Sequence, residues 1–255
     1  MQNRGNRPAR RGGALGRVPK AALLAMAAIL VVAVGGAAYG IWYLFLQPAG
    51  PAAVGTAGPL LPSNLPLGSL ATTDGTWTID PSIGAFSDFS DSFVGYRVQE
   101  QLASIGANTA VGRTPTVTGS LTISGTTVSA VTITADLTAL QSNDTRRDGQ
   151  LSHQGIETSL FPTATFTLTA PIQLGSIPGA GQSVTATASG SLTLHGVTKA
   201  VQIPLTVVLQ GDVVAVTGSL DIVFADYGIT PPSSFAVLSV EDHGAMELQL
   251  FFRHS

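Results

Sequence analysis

Period-two alternation of apolar and small polar side chains constrains this 255-residue chain more than any other feature. Val131, Ile133, Ala135 and Leu137 alternate with Thr132, Thr134, Asp136 and Thr138, and Ala164, Phe166, Leu168 and Ala170 with Thr165, Thr167 and Thr169. Val184, Ala186, Ala188, Gly190, Leu192 and Leu194 alternate with Thr and Ser. Val214, Val216, Leu220, Ile222 and Phe224 share one parity, and Met246, Leu248, Leu250 and Phe252 alternate with Glu247 and Gln249. A period of two defines strands with one apolar and one solvated face, and threonine on the wet face fits β-propensity.

Turn signals separate these runs: Ser124-Gly125, Ile177 to Gly181, His195-Gly196 and Gln210-Gly211-Asp212. Strands joined by short turns make an antiparallel meander. Closing it hides the apolar faces and removes exposed edges. The expected fold is therefore all-β: an antiparallel up-and-down barrel of about eight strands. The polar stretch from Asn143 to Glu157, with an Asn or Asp available as N-cap, reads as a short helix that lids one barrel end. Ala186, Ala188 and Gly190 put unusually small side chains at mid-strand on the inward face. They either admit a large neighbour or leave a cavity.

The N-terminal part is different. Residues 21–46 carry no charge, and a helix of that length spans about 39 Å, enough to cross a hydrocarbon core of about 30 Å with tilt. Arg4, Arg7, Arg10, Arg11, Arg17 and Lys20 all precede it, whereas every acid follows it, the first being Asp74. Positive residues stay on the cytoplasmic side. A single-pass plasma-membrane helix is thus expected, with a basic cytoplasmic tail over 1–20 and an extracytoplasmic domain. A cleaved signal ending near Gly35 to Ala38 competes with this reading, but apolar Ile41 to Leu46 continue past that point. Gly35, Gly36 and Gly40 would let two such helices pack closely, leaving a homodimer open. Residues 47–76 are Pro-, Gly- and Ala-rich and read as an extended linker, so the barrel domain is expected over 77–255. The acidic balance after the helix excludes nucleic acid as a partner, since that affinity rests on Lys and Arg. The absence of cysteine excludes disulfides and thiolate chemistry.

Several local sequences resemble the YceI-like family in order: Trp77-Thr78-Ile79-Asp80-Pro81; Arg147-Asp148, Leu151 and Phe161-Pro162-Thr163-Ala164-Thr165-Phe166; Gly190 to Lys199, with Gly196-Val197-Thr198 at a hairpin turn; and Asp226-Tyr227-Gly228-Ile229 with Val240-Glu241-Asp242. The resemblance covers residues 77–253. It departs over Ala85 to Ala110, which lacks the family's His-containing segment. It implies a lipocalin-like barrel associated with polyisoprenoid binding, holding an extended apolar ligand such as an isoprenoid chain; a quinone-like chain is expected to serve as well, and, with no nucleophile–base arrangement visible, neither a cofactor nor enzymatic activity is expected.

Inward parity nominates Phe166, Leu168, Ala186, Ala188, Leu192, Val216, Leu220 and Phe224 as the lining, each of which also reads as plain core. Arg146 and Arg147 suit forked hydrogen bonding to a lipid head group, or else a local ion pair that pins the helix to the barrel. His153, His195, His243 and His254 show no metal-ligand spacing. Asp88 with Asp91, and Glu241 with Asp242, read as solvated surface charge; as strand neighbours the latter two would point to opposite faces. No nucleophile elbow is present. A filled barrel acting as an envelope interaction module is the alternative function, and a lipid hydrolase has the least support.

Overall fold

The computed structural model describes residues 20, 28–38, 50–54, 68, 70–103, 106–233 and 237–254. The chain divides into two compact units, Met1–Gln47 and Pro48–Ser255. In the first, residues 28–38 form helix α1, with exposed side chains. Among the described residues no helix is long and apolar enough to cross a membrane. Most of the expected membrane helix over 21–46, like much of the linker, lies outside the described residues.

The second unit is built from β1 (Gly75–Ile79), β2 (Phe93–Leu102), β3 (Gly106–Thr114), β4 (Val117–Ser124), β5 (Thr127–Asp136), β6 (Gln141–Ser142), α2 (Thr145–Leu151), β7 (Thr163–Leu168), β8 (Ile172–Gln173), β9 (Ser183–Leu194), β10 (Val197–Gln210), β11 (Val213–Val223), β12 (Val237–Val240) and β13 (His243–His254). Eight of these strands run β1-β4-β5-β7-β9-β10-β11-β13, and β13 pairs back onto β1, closing an antiparallel barrel. The β9–β10 hairpin turns on His195 and Gly196, both at positive φ (52° and 73°). Such a turn matches the twist of the strands it joins.

Strand β13 changes partner on one edge. Ala245 to Gln249 pair with β2, whereas Phe252 to His254 pair with β1. The edge groups at the changeover are still satisfied: the Phe251 amide donates to Ser92 Oγ at 2.9 Å, and the Phe251 carbonyl accepts from the Asp80 amide at 3.0 Å. Buried backbone groups require such partners. Beyond β2 the sheet continues through β3 to β6, so the β2–β3 hairpin forms part of the wall that β1 does not reach.

The outer face of β13 is not solvated, which corrects the expectation for Glu247 and Gln249. Both are buried. Phe251 packs outside the barrel with Ile83, Val213 and Ala215 in a second apolar cluster, contributed partly by the loop after β1. Gln249 Nε2 donates to the carbonyls of Phe89 and Asp91. Glu247 accepts from Arg97 at 2.8 Å and from Arg113 at 3.4 Å. These two arginines also donate to the carbonyls of Pro51 and Ala52, while the Val54 amide donates to Glu247. Residues 50–54, expected as part of an extended linker, are therefore fastened to the barrel wall. Arg113 also lies over the rings of Phe89 and Phe93.

Asp91 is likewise no surface charge. It is 8% exposed, and its Oδ1 has no hydrogen-bond partner. Burial pushes its carboxyl from 3.8 up to about 6, with Asp88 adding to the shift and Arg113 opposing it.

Two outcomes follow for the outer wall. Glu247→Ala leaves two arginines without their buried carboxylate, and should lower the unfolding free energy of the full chain in urea by ~3–5 kcal/mol. For Asp91, the folded chain holds a proton that the unfolded chain has released, so its contribution to stability falls as pH rises from 3.8 through about 6. Asp91→Asn should therefore raise Tm at pH 7 and leave it unchanged below pH 3.8, as scanning calorimetry at both values would show.

Candidate ligand-binding cavity

The barrel interior is filled at one end and hollow at the other. At the filled end Leu137, Leu140, Ile222, Tyr227 and Ile229 belong to the packed core. The segment after β6 covers them. Asp144 caps α2 by accepting from the Arg146 amide at 2.9 Å, and Ile156 packs against the core. Beyond the helix, Phe161 packs against His195 with ring centroids 4.2 Å apart. The His195 imidazole joins Glu157 at 2.8 Å and the Tyr227 carbonyl at 3.0 Å, tying the lid to the β9–β10 turn. His195 is buried and structural.

Toward the other end lies a cavity of about 120 Å³, well above the roughly 10–15 Å³ that one water needs. Its wall is apolar: Leu121 and Ile123 of β4, Ile133 of β5, Ile203 and Leu205 of β10, Val214 of β11, and Leu248, Leu250 and Phe252 of β13. At the rim stand Thr73, Leu174, Ile177, Pro178 and Leu209. Thr73 and Thr165 are the two polar residues that border it, and Thr165 alternates with inward-facing Ala164 and Phe166.

The nominated residues divide. Phe166, Ala186, Ala188, Leu192 and Val216 line the cavity. Leu168, Leu220 and Phe224 do not; they pack against the core instead. Parity identifies a face but not a depth along the barrel. Phe224 has in fact left the strand for a 3-10 turn, where it lies beside Gly244 at the filled end.

The small-residue run on β9 does both things open to it. Ala186 and Ala188 leave space, whereas Gly190 admits a large neighbour: a Cβ there would stand 2.3 Å from Phe166 Cζ and 2.5 Å from the Thr167 carbonyl oxygen. The Phe166 ring thus lies on a position without a side chain. Residues missed by sequence reasoning include Ile177 and Pro178, which read as turn punctuation, and Val94, which sits in a strand without clean alternation.

The two candidate head-group arginines are held by acids. Arg147 pairs with Glu100 of β2 at 2.6 Å and donates to Asn143, pinning α2 to the barrel. Arg146 pairs with Asp144 at 2.9 Å. Glu241 and Asp242 do not point apart, because they occupy the turn between β12 and β13 rather than a strand. Their carboxylates and the His243 imidazole lie within 4.8 Å of one another, all exposed. The hydrogen bond from His243 to Asp242 holds the imidazole above its ordinary range and the carboxyl below its own.

The fold is thus a closed, eight-stranded antiparallel barrel with one hollow, apolar half. Residues 77–252 match the model of the YceI-like domain, and the chain belongs to that family. A polyisoprenoid-binding domain from Saccharophagus degradans, described as implicated in plant cell wall breakdown, shares the fold at 19% identity and a TM-score of 0.53, over 70% of this chain and 98% of that one. BcnA of Burkholderia cenocepacia is 19% identical over 63% of this chain and 95% of its own, with a TM-score of 0.48. The Campylobacter jejuni YCEI protein is 12% identical over 56% and 84%, with a TM-score of 0.46. No curated protein matches.

A methyl group added at Gly190 has nowhere to go without moving Phe166 or the β7 backbone. Gly190→Ala should lower stability by ~1–3 kcal/mol, as overpacking does, while Ala188→Gly, on the open side, should change it by less than about 1 kcal/mol. Urea unfolding of both variants checks the contrast.

Proposed function

We propose that this protein is a lipid-binding protein that holds an extended apolar chain, isoprenoid or quinone-like, inside the barrel, and that residues 21–46 tether it to the plasma membrane with the barrel on the extracytoplasmic side. The observation that carries the binding reading is the cavity, whose wall offers an alkyl chain continuous apolar contact. Each CH₂ moved from water into such a space gains about 0.8 kcal/mol. A long chain therefore binds without many polar contacts. The Saccharophagus degradans domain, which shares the fold, is described as polyisoprenoid-binding, which supports the same reading. The wall grips a chain but presents no acid, base or thiol to act on it, so binding rather than catalysis is the better reading. The tether rests on the uncharged stretch and the six cations before it.

Native mass spectrometry of the full chain released from bacterial membranes should show a discrete added mass that disappears on organic extraction. Ala188→Phe should fill the cavity and cut the retained mass at least about tenfold, or 1.4 kcal/mol, with Tm preserved. A clean unliganded mass that incubation with isoprenoids leaves unchanged would overturn the proposal.

A further inference from the structure

The Lys and Arg of the barrel unit can all be traced. After residue 46 the sequence contains six Lys and Arg: Arg97, Arg113, Arg146, Arg147, Lys199 and Arg253. Each has a carboxylate. Arg97 and Arg113 share Glu247, Arg146 has Asp144, and Arg147 has Glu100. Lys199 has Asp226 at 3.6 Å, and Arg253 bridges Asp80 at 2.8 Å and Asp212 at 2.6 Å. None of the six lines the cavity.

The rim is acidic on balance, its cation Arg253 being paired there with Asp212. Asp74 follows Thr73 directly, and its carboxylate accepts from the Gly125 amide at 2.6 Å in the β4–β5 turn. Asp212 stands in the β10–β11 turn at the same end and accepts from the Gly68 amide at 2.7 Å. His254 Nε2 is turned to the Asp74 carbonyl, and its ring meets Trp77 edge-on.

An anionic head group needs a cation or a cluster of donors to replace its water, and an unpaired charge in an apolar cavity is strongly disfavoured. We infer that the cavity selects by charge: it takes a chain with an uncharged end, such as an alcohol or a quinone, and turns away the same chain ending in phosphate or carboxylate. This inference rests on the apolar-chain reading above and narrows its ligand class.

The test uses matched probes. Radiolabelled farnesol and farnesyl phosphate share one isoprenoid chain and differ at the head. Each is dialysed to equilibrium, at low ionic strength, against the full chain held in amphipol, with an amphipol-only blank. The expected result is farnesol bound at least about tenfold more tightly, a difference of 1.4 kcal/mol. Thr73→Lys, which sets an ammonium at the rim, should raise affinity for farnesyl phosphate about tenfold, and an unchanged circular dichroism spectrum and Tm verify that the variant is folded. Equal or tighter binding of farnesyl phosphate by the native chain would overturn charge selection while leaving the apolar-chain reading intact. Binding of neither probe would overturn both.

Discussion

Closure of the barrel rests on strand β13, which has three partner strands. It pairs with β11 along its whole length, and its other edge is divided between β2 and β1. Closure depends on that division. The apolar inward row of Met246, Leu248, Leu250 and Phe252 is sealed only if both halves of the edge are paired, and the changeover at Phe251 is a point where unpaired backbone groups would otherwise be buried. Ser92 and Asp80 supply the missing partners from the chain between β1 and β2. That loop brings Ile83 with it, which closes a small apolar cluster on the outside of the wall. One strand thus has apolar packing on both faces, and the loop that covers it is fixed by the same hydrogen bonds that complete the barrel.

The division of the interior into filled and hollow halves follows from side-chain size along each strand. At the covered end aromatic and branched residues from several strands meet, and Tyr227 and Ile229 enter from the 3-10 turn after β11. Toward the rim β9 contributes Ala186 and Ala188, and nothing across the barrel is large enough to fill the space they leave. Phe166 is the large neighbour nearby, and it is drawn aside onto Gly190. A cavity therefore exists because one large ring is parked on a glycine rather than standing over two alanines.

The strands of the second half of the barrel were legible from alternation because each has a dry and a wet side. The short helix was legible from its polar run and its N-cap, and the turns from glycine. Strands β2 and β3 escaped the pattern, since polar residues such as Glu100 and Arg113 are buried there as ion pairs. Burial of Glu247 and Asp91 was invisible for the same reason: a charged residue at an outward position looks solvated until a distant segment is known to lie over it. Residues 50–54 and the loop at 80–92 are such segments. Of the cavity, parity recovered the correct face at Phe166, Ala186, Ala188, Leu192 and Val216, but missed how deep Leu220 and Phe224 would fall.

The fastening of residues 50–54 has a mechanical side. Those residues lie ahead of β1 in the chain, and two arginines and a glutamate hold them against β2, β3 and β13. Tension arriving along the chain from its N-terminal side reaches that clasp first. It is spread over three paired strands before it can act on β1, the short strand of five residues whose detachment would unzip the barrel seam. The seam is thereby shielded from pulling by a contact made elsewhere on the wall.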